Sequence, residues 1–372
     1  MTPIHSMPLR AGLRARFRTA IAAVLPTLAL LGFAADATAA TVTQNASWTI
    51  NRAGTATKYR VVAYGDSIYA GYNTTLTSVA RYAGPTVQSE YLSAAWNADI
   101  ESIRRTKSGA LAKDIYENKV VAERAYMQNS ATRVVSIEMC GNDGLQARAA
   151  FRNQTGTCNY AVLETALQNC KTYVAASMDY INANAYAGTK LKVISNLFYP
   201  GYGAENVQSS CRDASTRATV NVAELMLRRA ALMNYWMCEY ARQKGFQCAD
   251  SFAQFMAADS DTNGDGLIDS EALRYVPGDT EASYVDRIMA LRATVRDPNG
   301  KFVTASSSVD YIQSDDVHPT YTGGNATLLY GSTSGSAAPR YTSFPNGKSP
   351  IWNQYGHERL GWATSVFNPT AP

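Results

Sequence analysis

Two short stretches of this 372-residue sequence contain side chains that can do nucleophilic chemistry together. Ser67 follows an apolar run, whereas Asp315 and His318 lie near the C-terminus. A serine hydroxyl is a weak nucleophile at neutral pH, so it needs an imidazole to accept its proton and a carboxylate to orient that imidazole. The second stretch supplies both partners, because Asp315 lies three residues before His318 and can reach its ring from the same turn.

The number of histidines narrows the choice of base. The chain has three. His5 lies in a segment that we expect to be removed, which leaves His318 and His357. We predict a triad of Ser67, His318 and Asp315. Taken alone, the Asp-x-x-His spacing is more typical of a surface turn beside a structural histidine, so the prediction depends on the serine stretch as well.

Residues 1–39 have the features of a signal peptide. A basic stretch from Arg10 to Arg18 precedes an apolar run over 20–35 and a small-residue end, with cleavage expected after Ala39 or Ala40. The alternative is an uncleaved membrane anchor, but Pro26 interrupts the run, which is shorter than the roughly 20 apolar residues of a membrane span. The protein is therefore predicted to be secreted or periplasmic.

The charge of the remaining chain excludes one class of partner. Removal of residues 1–39 takes away four arginines and one aspartate, so the formal net charge falls from +4 to +1. That near-neutral charge argues against a phosphate-binding surface, and no nucleic acid partner is expected. No other stretch is long and apolar enough for a stable membrane span. We predict that residues 41–372 form a single domain.

All six cysteines lie in the mature part of the chain, where an even number favours disulfides over metal ligation. We expect Cys238 to pair with Cys248, because a helix that ends near Gly245 can turn back into a short strand over 246–249. The other pairings are left open by the sequence, as is a reduced chain with buried thiols.

Apolar, β-branched runs alternate with helix-like stretches along the chain. Strands are predicted over 59–64, 134–139 and 191–197, and helices over 111–130, 160–185 and 214–243. This alternation predicts an α/β fold with a parallel sheet covered by helices on both faces. Ser67 and Asn142 then lie at carboxyl ends of strands, where such sheets form their sites.

Four ordered blocks of the sequence resemble those of the SGNH (GDSL-type) serine esterases and lipases. The blocks are Gly65-Asp66-Ser67-Ile68, Gly109 within Lys107-Ser108-Gly109-Ala110, Gly141-Asn142-Asp143, and Asp315 to Pro319. The resemblance covers roughly residues 59–368. It implies a flavodoxin-like three-layer α/β/α sandwich and the hydrolysis of a carboxylic ester.

The resemblance also implies a role for each matching residue. Ser67 is then the nucleophile, His318 the general base and later acid, and Asp315 its orienting partner. The backbone N–H groups of Ser67 and Gly109 and the side-chain amide of Asn142 would face the oxyanion. The alternatives are a turn glycine at Gly109 and an Asx-type turn at Asn142.

Two features depart from the family pattern. The third block often reads Gly-x-Asn-Asp, but Cys140 occupies the first position here, where a disulfide could brace the oxyanion loop or a thiol could lie buried. The closing helix is delayed by an insertion over 320–354, and His357 on that helix is predicted not to be catalytic. Aromatic residues of this insertion are expected either to contact substrate or to pack on the loop itself: Tyr321, Tyr330, Tyr341 and Trp352.

A second insertion, over about 251–281, contains a pattern similar to an EF-hand calcium loop. Four of its residues occupy the ligand positions 1, 3, 5 and 9: Asp261, Asn263, Asp265 and Asp269. Position 12 should carry a glutamate but is Ala272, with Glu271 one place early. Calcium binding and a solvated Asp/Gly turn both stay open. Any calcium is expected to be structural, because the proposed chemistry needs no cofactor.

The leading hypothesis is therefore an exported carboxylic ester hydrolase that forms an acyl-enzyme at Ser67, with a lipid or small-molecule ester as substrate. A carbohydrate esterase that removes acetyl or aromatic acyl groups from an acylated carbohydrate is the alternative within this class. A catalytically inert, calcium-stabilised binding protein is the alternative outside it.

Overall fold

The computed structural model describes residues 44–370 with gaps at 53, 74–77, 82, 199–206, 209, 257–272, 292–311, 314–316, 321–326, 330–332 and 338–355. The described elements belong to one compact unit, residues 39–372.

The helix Val222–Lys244 shows how local sequence fixes the two ends of a helix. Asn221 caps the helix Val222–Lys244 by accepting from the Glu224 N–H group, and Gly245 ends that helix at φ 73°.

The helices are α1 (Ser67–Ala70), α2 (Gly84–Trp96), α3 (Ala112–Ile115), α4 (Ala125–Gln128), α5 (Gly141–Arg152), α6 (Ala161–Asn184), α7 (Val222–Lys244), α8 (Ser251–Met256), α9 (Glu281–Leu291) and α10 (Gly356–Ser365). A π-helical turn, Tyr116–Val121, lies between α3 and α4. The strands of the main sheet are β1 (Ala46–Ile50), β2 (Lys58–Gly65), β5 (Asp99–Thr106), β6 (Thr132–Ile137), β8 (Leu191–Ser195), β12 (Gln247–Ala249) and β14 (Thr333–Ala337). The short strands outside it are β3 (Tyr72–Asn73), β4 (Ser78–Ala80), β7 (Gly156–Thr157), β9 (Val207–Gln208), β10 (Cys211–Arg212), β11 (Val220–Asn221) and β13 (Thr327–Leu329).

The main sheet has the order β12-β8-β6-β2-β5-β1-β14. Five neighbouring strands, β12 to β5, are parallel, and β1 is antiparallel to β5. Ranked along the chain, the parallel strands follow the order 2-1-3-4-5 of a flavodoxin-like sheet. The predicted α/β fold class with a parallel sheet is therefore confirmed.

Neighbouring residues of each central strand pack on opposite faces of the sheet. On β2, Val61 packs with Leu92 of α2 and Ala363 of α10. The adjacent Val62 belongs to the larger core that includes residues of α5, α6 and α7. This alternation follows from the two-residue period of a strand, and it confirms helices on both faces.

Two predicted helices differ from those observed. The helix expected over 111–130 is broken into α3, the π-helical turn and α4, and the wider turn contains the buried Lys119, whose ammonium donates to Asn45 and Glu123. The helix expected from 214 begins only at Val222, because the Asp213 carboxylate accepts from the N–H groups of Ser215 and Thr216 in a local turn.

All six cysteines form disulfides: Cys140–Cys170, Cys158–Cys211 and Cys238–Cys248. The predicted Cys238–Cys248 pair is confirmed. None of the helices in the described part of the chain combines the length and the apolar composition that crossing a membrane requires.

Candidate active site

A sharp turn after β2 presents Ser67 as the first residue of α1. Asp66 caps this helix, and its Oδ1 accepts from the Ile68 N–H group at 2.8 Å. The chain leaves the helix at Gly71, whose φ of 74° lies in the left-handed region that glycine tolerates. The turn therefore lies at the carboxyl end of the first parallel strand. It is beside the position between β2 and β6 where the order of the strands along the chain reverses.

The side chain of His318 reaches Ser67 from a distant part of the chain. Its Nε2 lies 2.9 Å from the Ser67 Oγ, across 251 residues of sequence, and both side chains are buried. The His318 segment is held by an isolated bridge between Ile312 and Pro319, and the Gln313 N–H group donates to the His318 carbonyl at 2.7 Å. Two of the three predicted triad residues are thus in contact. Asp315 lies outside the described residues, and its role stays a prediction.

An aromatic neighbour of His318 was not predicted from the sequence. The ring of Tyr72 packs against that of His318 with their centroids 4.8 Å apart. Gln313 connects the two segments, since its Nε2 donates to the carbonyls of Tyr72 and Pro319, each at 2.8 Å. Tyr72 is five residues beyond Ser67, and no spacing rule relates it to His318.

The predicted oxyanion residues lie on loops that contact the serine turn. The Lys107 N–H group donates to the Gly65 carbonyl at 3.1 Å, which places the Gly109 loop against the end of β2. Asn142 Nδ2 donates to the Asp66 carboxylate at 2.8 Å and to the Ala110 carbonyl at 3.1 Å. The Asn142 amide therefore bridges the serine turn and the glycine loop, and both of its hydrogens are occupied within the protein.

The residue after Asn142 holds the other end of the glycine loop. Asp143 Oδ2 accepts from the Ala112 N–H group at 2.8 Å. Burial raises the pKa of this carboxyl to about 7, although the bond from Ala112 opposes the shift. Asn142 and Asp143 thus hold the glycine loop at two points, the Ala110 carbonyl and the Ala112 N–H group.

The cysteine that departs from the family pattern is braced by a disulfide. Cys140 has φ 84°, a left-handed conformation that is unfavourable for a residue with a side chain, and it lies directly before α5. Its disulfide joins this position to Cys170 on α6. Of the two alternatives in the sequence, the disulfide is observed.

A pair of buried carboxyl groups next to Ser67 was not predicted. Glu138 follows the end of β6, and its Oε2 lies 3.4 Å from the Asp66 backbone nitrogen, which brings the two carboxyl groups together. Burial raises the pKa of Glu138 well above its ordinary value of 4.5, and the neighbouring Asp66 charge raises it further. A charged residue at the end of an otherwise apolar strand was the signal in the sequence for this feature.

Two residues before β1 hold the strand that leads to the glycine loop. Gln44 is fully buried, and its Oε1 accepts from the Ser108 hydroxyl. Asn45 Oδ1 accepts from the Thr106 N–H group at 3.2 Å and from Lys119 Nζ at 3.0 Å. Ser108 directly precedes Gly109, so these contacts connect the described start of the chain to a predicted oxyanion residue.

The remaining described histidine, His357, is the second residue of α10, as expected for a closing-helix residue. Its ring is fully buried, and neither ring nitrogen has a hydrogen-bond partner among the described residues. Burial lowers the pKa of His357 to about 3, with smaller contributions from Arg104 and His318. Arg104 is itself buried, and its Nη1 donates to the carbonyl of Ala70, the last residue of the serine helix, at 2.9 Å.

Several predicted features lie outside the described residues. They are the calcium-loop residues Asp261, Asn263, Asp265 and Asp269 and the insertion aromatics Tyr321, Tyr330, Tyr341 and Trp352. Within the described ranges, histidines, cysteines and carboxylates form no cluster of three that could hold a metal ion.

Comparison with known proteins gives distant structural likenesses. No protein-family model matches the sequence, and the curated proteins give no significant match. The lipase Lip_vut3 from a goat rumen metagenome is 16% identical with a TM-score of 0.40, over 63% of this chain and 96% of the lipase. Phospholipase A1 from Streptomyces albidoflavus NA297 is 16% identical with a TM-score of 0.37, over 64% and 99%.

The acetylxylan esterase Axe2 from Geobacillus stearothermophilus is 14% identical with a TM-score of 0.34, over 65% of this chain and 95% of the esterase. All three names are those of lipases or esterases, the class that the four sequence blocks resemble. At these identities and TM-scores the likenesses assign no activity to this chain, so the function proposed below rests on the geometry at Ser67.

Proposed function

We propose that the protein is a serine hydrolase that cleaves carboxylic esters through an acyl-enzyme on Ser67. The observation that carries this proposal is the 2.9 Å contact between Ser67 Oγ and His318 Nε2 at the carboxyl edge of a parallel sheet. A buried hydroxyl with an imidazole at this distance has the arrangement that a serine nucleophile and its general base require.

The reaction proceeds in two halves. His318 removes the Ser67 proton as Oγ attacks the ester carbonyl, and the resulting oxyanion is faced by the N–H groups of Ser67 and Gly109. Asn142 takes part by exchanging its contact with the Ala110 carbonyl for the oxyanion. His318 then protonates the departing alkoxide, which leaves Ser67 acylated.

Water completes the cycle by attacking the acyl-enzyme. His318 removes a proton from this water and returns it to Ser67 Oγ as the carboxylic acid departs. On this proposal Asp315 accepts a hydrogen bond from the other ring nitrogen and stabilises the imidazolium. Asp66 is already occupied by Ile68 and Asn142, so it serves the turn and the loop instead.

Export and calcium belong to the same proposal. Three disulfides favour an oxidising compartment, in agreement with the predicted signal peptide over 1–39.

The loop over 261–272 is proposed to bind structural calcium. Added calcium should raise the Tm of the wild type and leave that of an Asp261→Ala, Asp265→Ala double variant unchanged; equal responses would refute calcium binding at this loop.

The test of the activity uses p-nitrophenyl esters from acetate to palmitate, with Ser67→Ala as control. We expect turnover and fluorophosphonate labelling in the wild type, and neither in Ser67→Ala. An optimum at long chains would indicate a lipase, and one at acetate would favour the carbohydrate esterase, which acylated xylan and feruloyl esters would then test. A folded wild type that neither turns over nor labels would support the inert binding protein.

A further inference from the structure

Glu138 directly follows β6 and lies beside Asp66, the residue before Ser67. Its backbone N–H group donates to the Tyr64 carbonyl at 3.0 Å, which continues the pairing of β6 with β2 by one residue. Its side chain is 2% exposed and that of Asp66 is 1% exposed. The Asp66 N–H group approaches Glu138 Oε2 at 3.4 Å, and the two carboxyl groups lie close enough to interact with each other.

A glycine and two N–H donors lie beside this pair of carboxyl groups. Gly141 lies against both, since a methyl group in place of its hydrogen would lie 3.5 Å from Asp66 Oδ2 and 4.0 Å from Glu138 Oε1. Asp66 is further held by donors on two sides, the Ile68 N–H group and the Asn142 amide, each at 2.8 Å. The Asp66 carboxylate is therefore fixed with respect to Ile68 and Asn142.

Two carboxyl groups in contact and shielded from water cannot both carry a charge. Asp66 accepts hydrogen bonds from two N–H donors, which stabilise its ionised form. Glu138 accepts only the long bond from the Asp66 N–H group among its described contacts, so it retains the proton. A hydrogen bond between two carboxyl groups also requires that one of them be protonated.

We propose that Glu138 is a positioning residue whose protonated carboxyl donates a hydrogen bond to the Asp66 carboxylate and so holds Asp66 against Ile68 and Asn142. This inference rests on the proposed function, because it concerns how the serine turn and the Asn142 amide keep the geometry that ester cleavage needs. Glu138 acts through Asp66 and does not touch the substrate.

Loss of the Glu138 proton at high pH would place a second negative charge beside Asp66 and next to the developing oxyanion. Tyr69 faces Glu138, and burial raises its pKa, so it stays neutral while Glu138 titrates. His318 and Asp143 face Asp66, and Asp143 has a pKa of about 7. These three groups are present in every Glu138 variant, so a difference between the pH profiles of such variants isolates Glu138.

The experiment compares Glu138→Gln, whose amide can donate to Asp66 as the carboxylic acid does, with Glu138→Leu, which cannot. We expect the Leu variant to lose roughly 10- to 100-fold in kcat with little change in KM, as for loss of a hydrogen bond to a charged group. The Gln variant should recover most of that loss, and it should lack the alkaline decline in kcat that Glu138 causes in the wild type.

Asp250→Asn is the matched control. Asp250 also follows a strand of the sheet, is partly buried and has a pKa raised by burial, but its strand β12 lies three positions from β2. This variant should keep the wild-type kcat and pH profile. A decline equal to that of Glu138→Leu would mean that any buried carboxyl has this effect, which overturns the proposal.

A stability measurement keeps the inference separate from the proposed activity. Because the folded protein retains the Glu138 proton above pH 4.5 and the unfolded chain releases it, wild-type stability should fall more steeply than that of Glu138→Gln as the pH rises. Equal pH dependence, or equal kcat in the Gln and Leu variants, would overturn the inference. A wild type without esterase activity would instead refute the proposed function.

Discussion

His318 Nε2 and Ser67 Oγ are 2.9 Å apart although 251 residues separate them in the chain. The other described histidine, His357, has a fully buried ring, and within the described part of the chain neither of its nitrogens has a hydrogen-bond partner. The two histidines therefore differ in what they can do, because only the first has the serine hydroxyl within hydrogen-bond distance.

His318→Ala should abolish turnover and fluorophosphonate labelling, whereas His357→Leu should preserve both. Loss of a general base from a triad lowers kcat by roughly 10⁴- to 10⁶-fold. Leucine fills a similar volume and removes two buried polar atoms that have no partner, so the His357 variant should fold. The measurement is kcat on a p-nitrophenyl ester with circular dichroism of each variant. A folded and active His318→Ala would refute the assignment of the base.

Removal of the Cys140–Cys170 disulfide should lower both stability and activity. In the chain-entropy model, a crosslink that spans 30 residues contributes about 3–4 kcal/mol to the free energy of unfolding. The Cys140→Ala, Cys170→Ala variant should also lose kcat, because the left-handed residue at position 140, two before Asn142, is no longer held by the crosslink.

Two comparisons separate the crosslink from the backbone conformation. Cys140→Gly with Cys170→Ala should be more stable than the double-alanine variant by about 1 kcal/mol, because glycine tolerates the left-handed conformation. Removal of Cys238–Cys248, which spans 10 residues, should cost about 2–3 kcal/mol without a loss of kcat. Equal kcat losses in the two disulfide variants would contradict a specific role for Cys140.

Gln44→Ala should lower kcat by about tenfold and leave KM nearly unchanged. Its side chain accepts from Ser108, and loss of one buried hydrogen bond of this kind corresponds to about 1–2 kcal/mol. The effect should appear in kcat because Gly109, the next residue, is expected to act on the oxyanion and not on the bound ester. Gln168→Ala on the exposed face of α6 is the control, and a similar loss there would show that the effect is not local.

Asp143→Asn should flatten the pH dependence of stability between about pH 4 and pH 7. The folded protein retains the Asp143 proton up to a pKa of about 7, whereas the unfolded chain releases it near 3.8, so wild-type stability falls as the pH rises through this window. The full shift corresponds to at most about 4 kcal/mol.

Urea unfolding at pH 5 and pH 7.5 measures this difference in both proteins. The contribution of Glu138 is common to them and cancels in the comparison. An Asp143→Asn variant that loses as much stability as the wild type between the two pH values would show that Asp143 is ionised throughout.

The sequence by itself predicted most of the local elements and the pairing of Ser67 with His318, which the structure places in contact. Short apolar, β-branched runs bounded by turn residues place Ser67 and Asn142 after predicted strands, and the small number of histidines favours His318. The expected pairing of Cys238 with Cys248 was also local, since only a turn separates helix from strand. Such features depend on neighbouring residues, which is why periodicity and spacing predict them.

Only the tertiary structure decided which side chains from distant parts of the sequence contact one another around Ser67. The contacts of Glu138 with Asp66, Gln44 with Ser108, and Tyr72 with His318 depend on the order of strands in the sheet and on how each loop leaves it. The same is true of Lys119, whose buried ammonium accompanies a π-helical turn within a predicted regular helix. Hydrogen bonds of this kind leave no periodic pattern in the chain, because their partners are brought together only when the sheet is assembled.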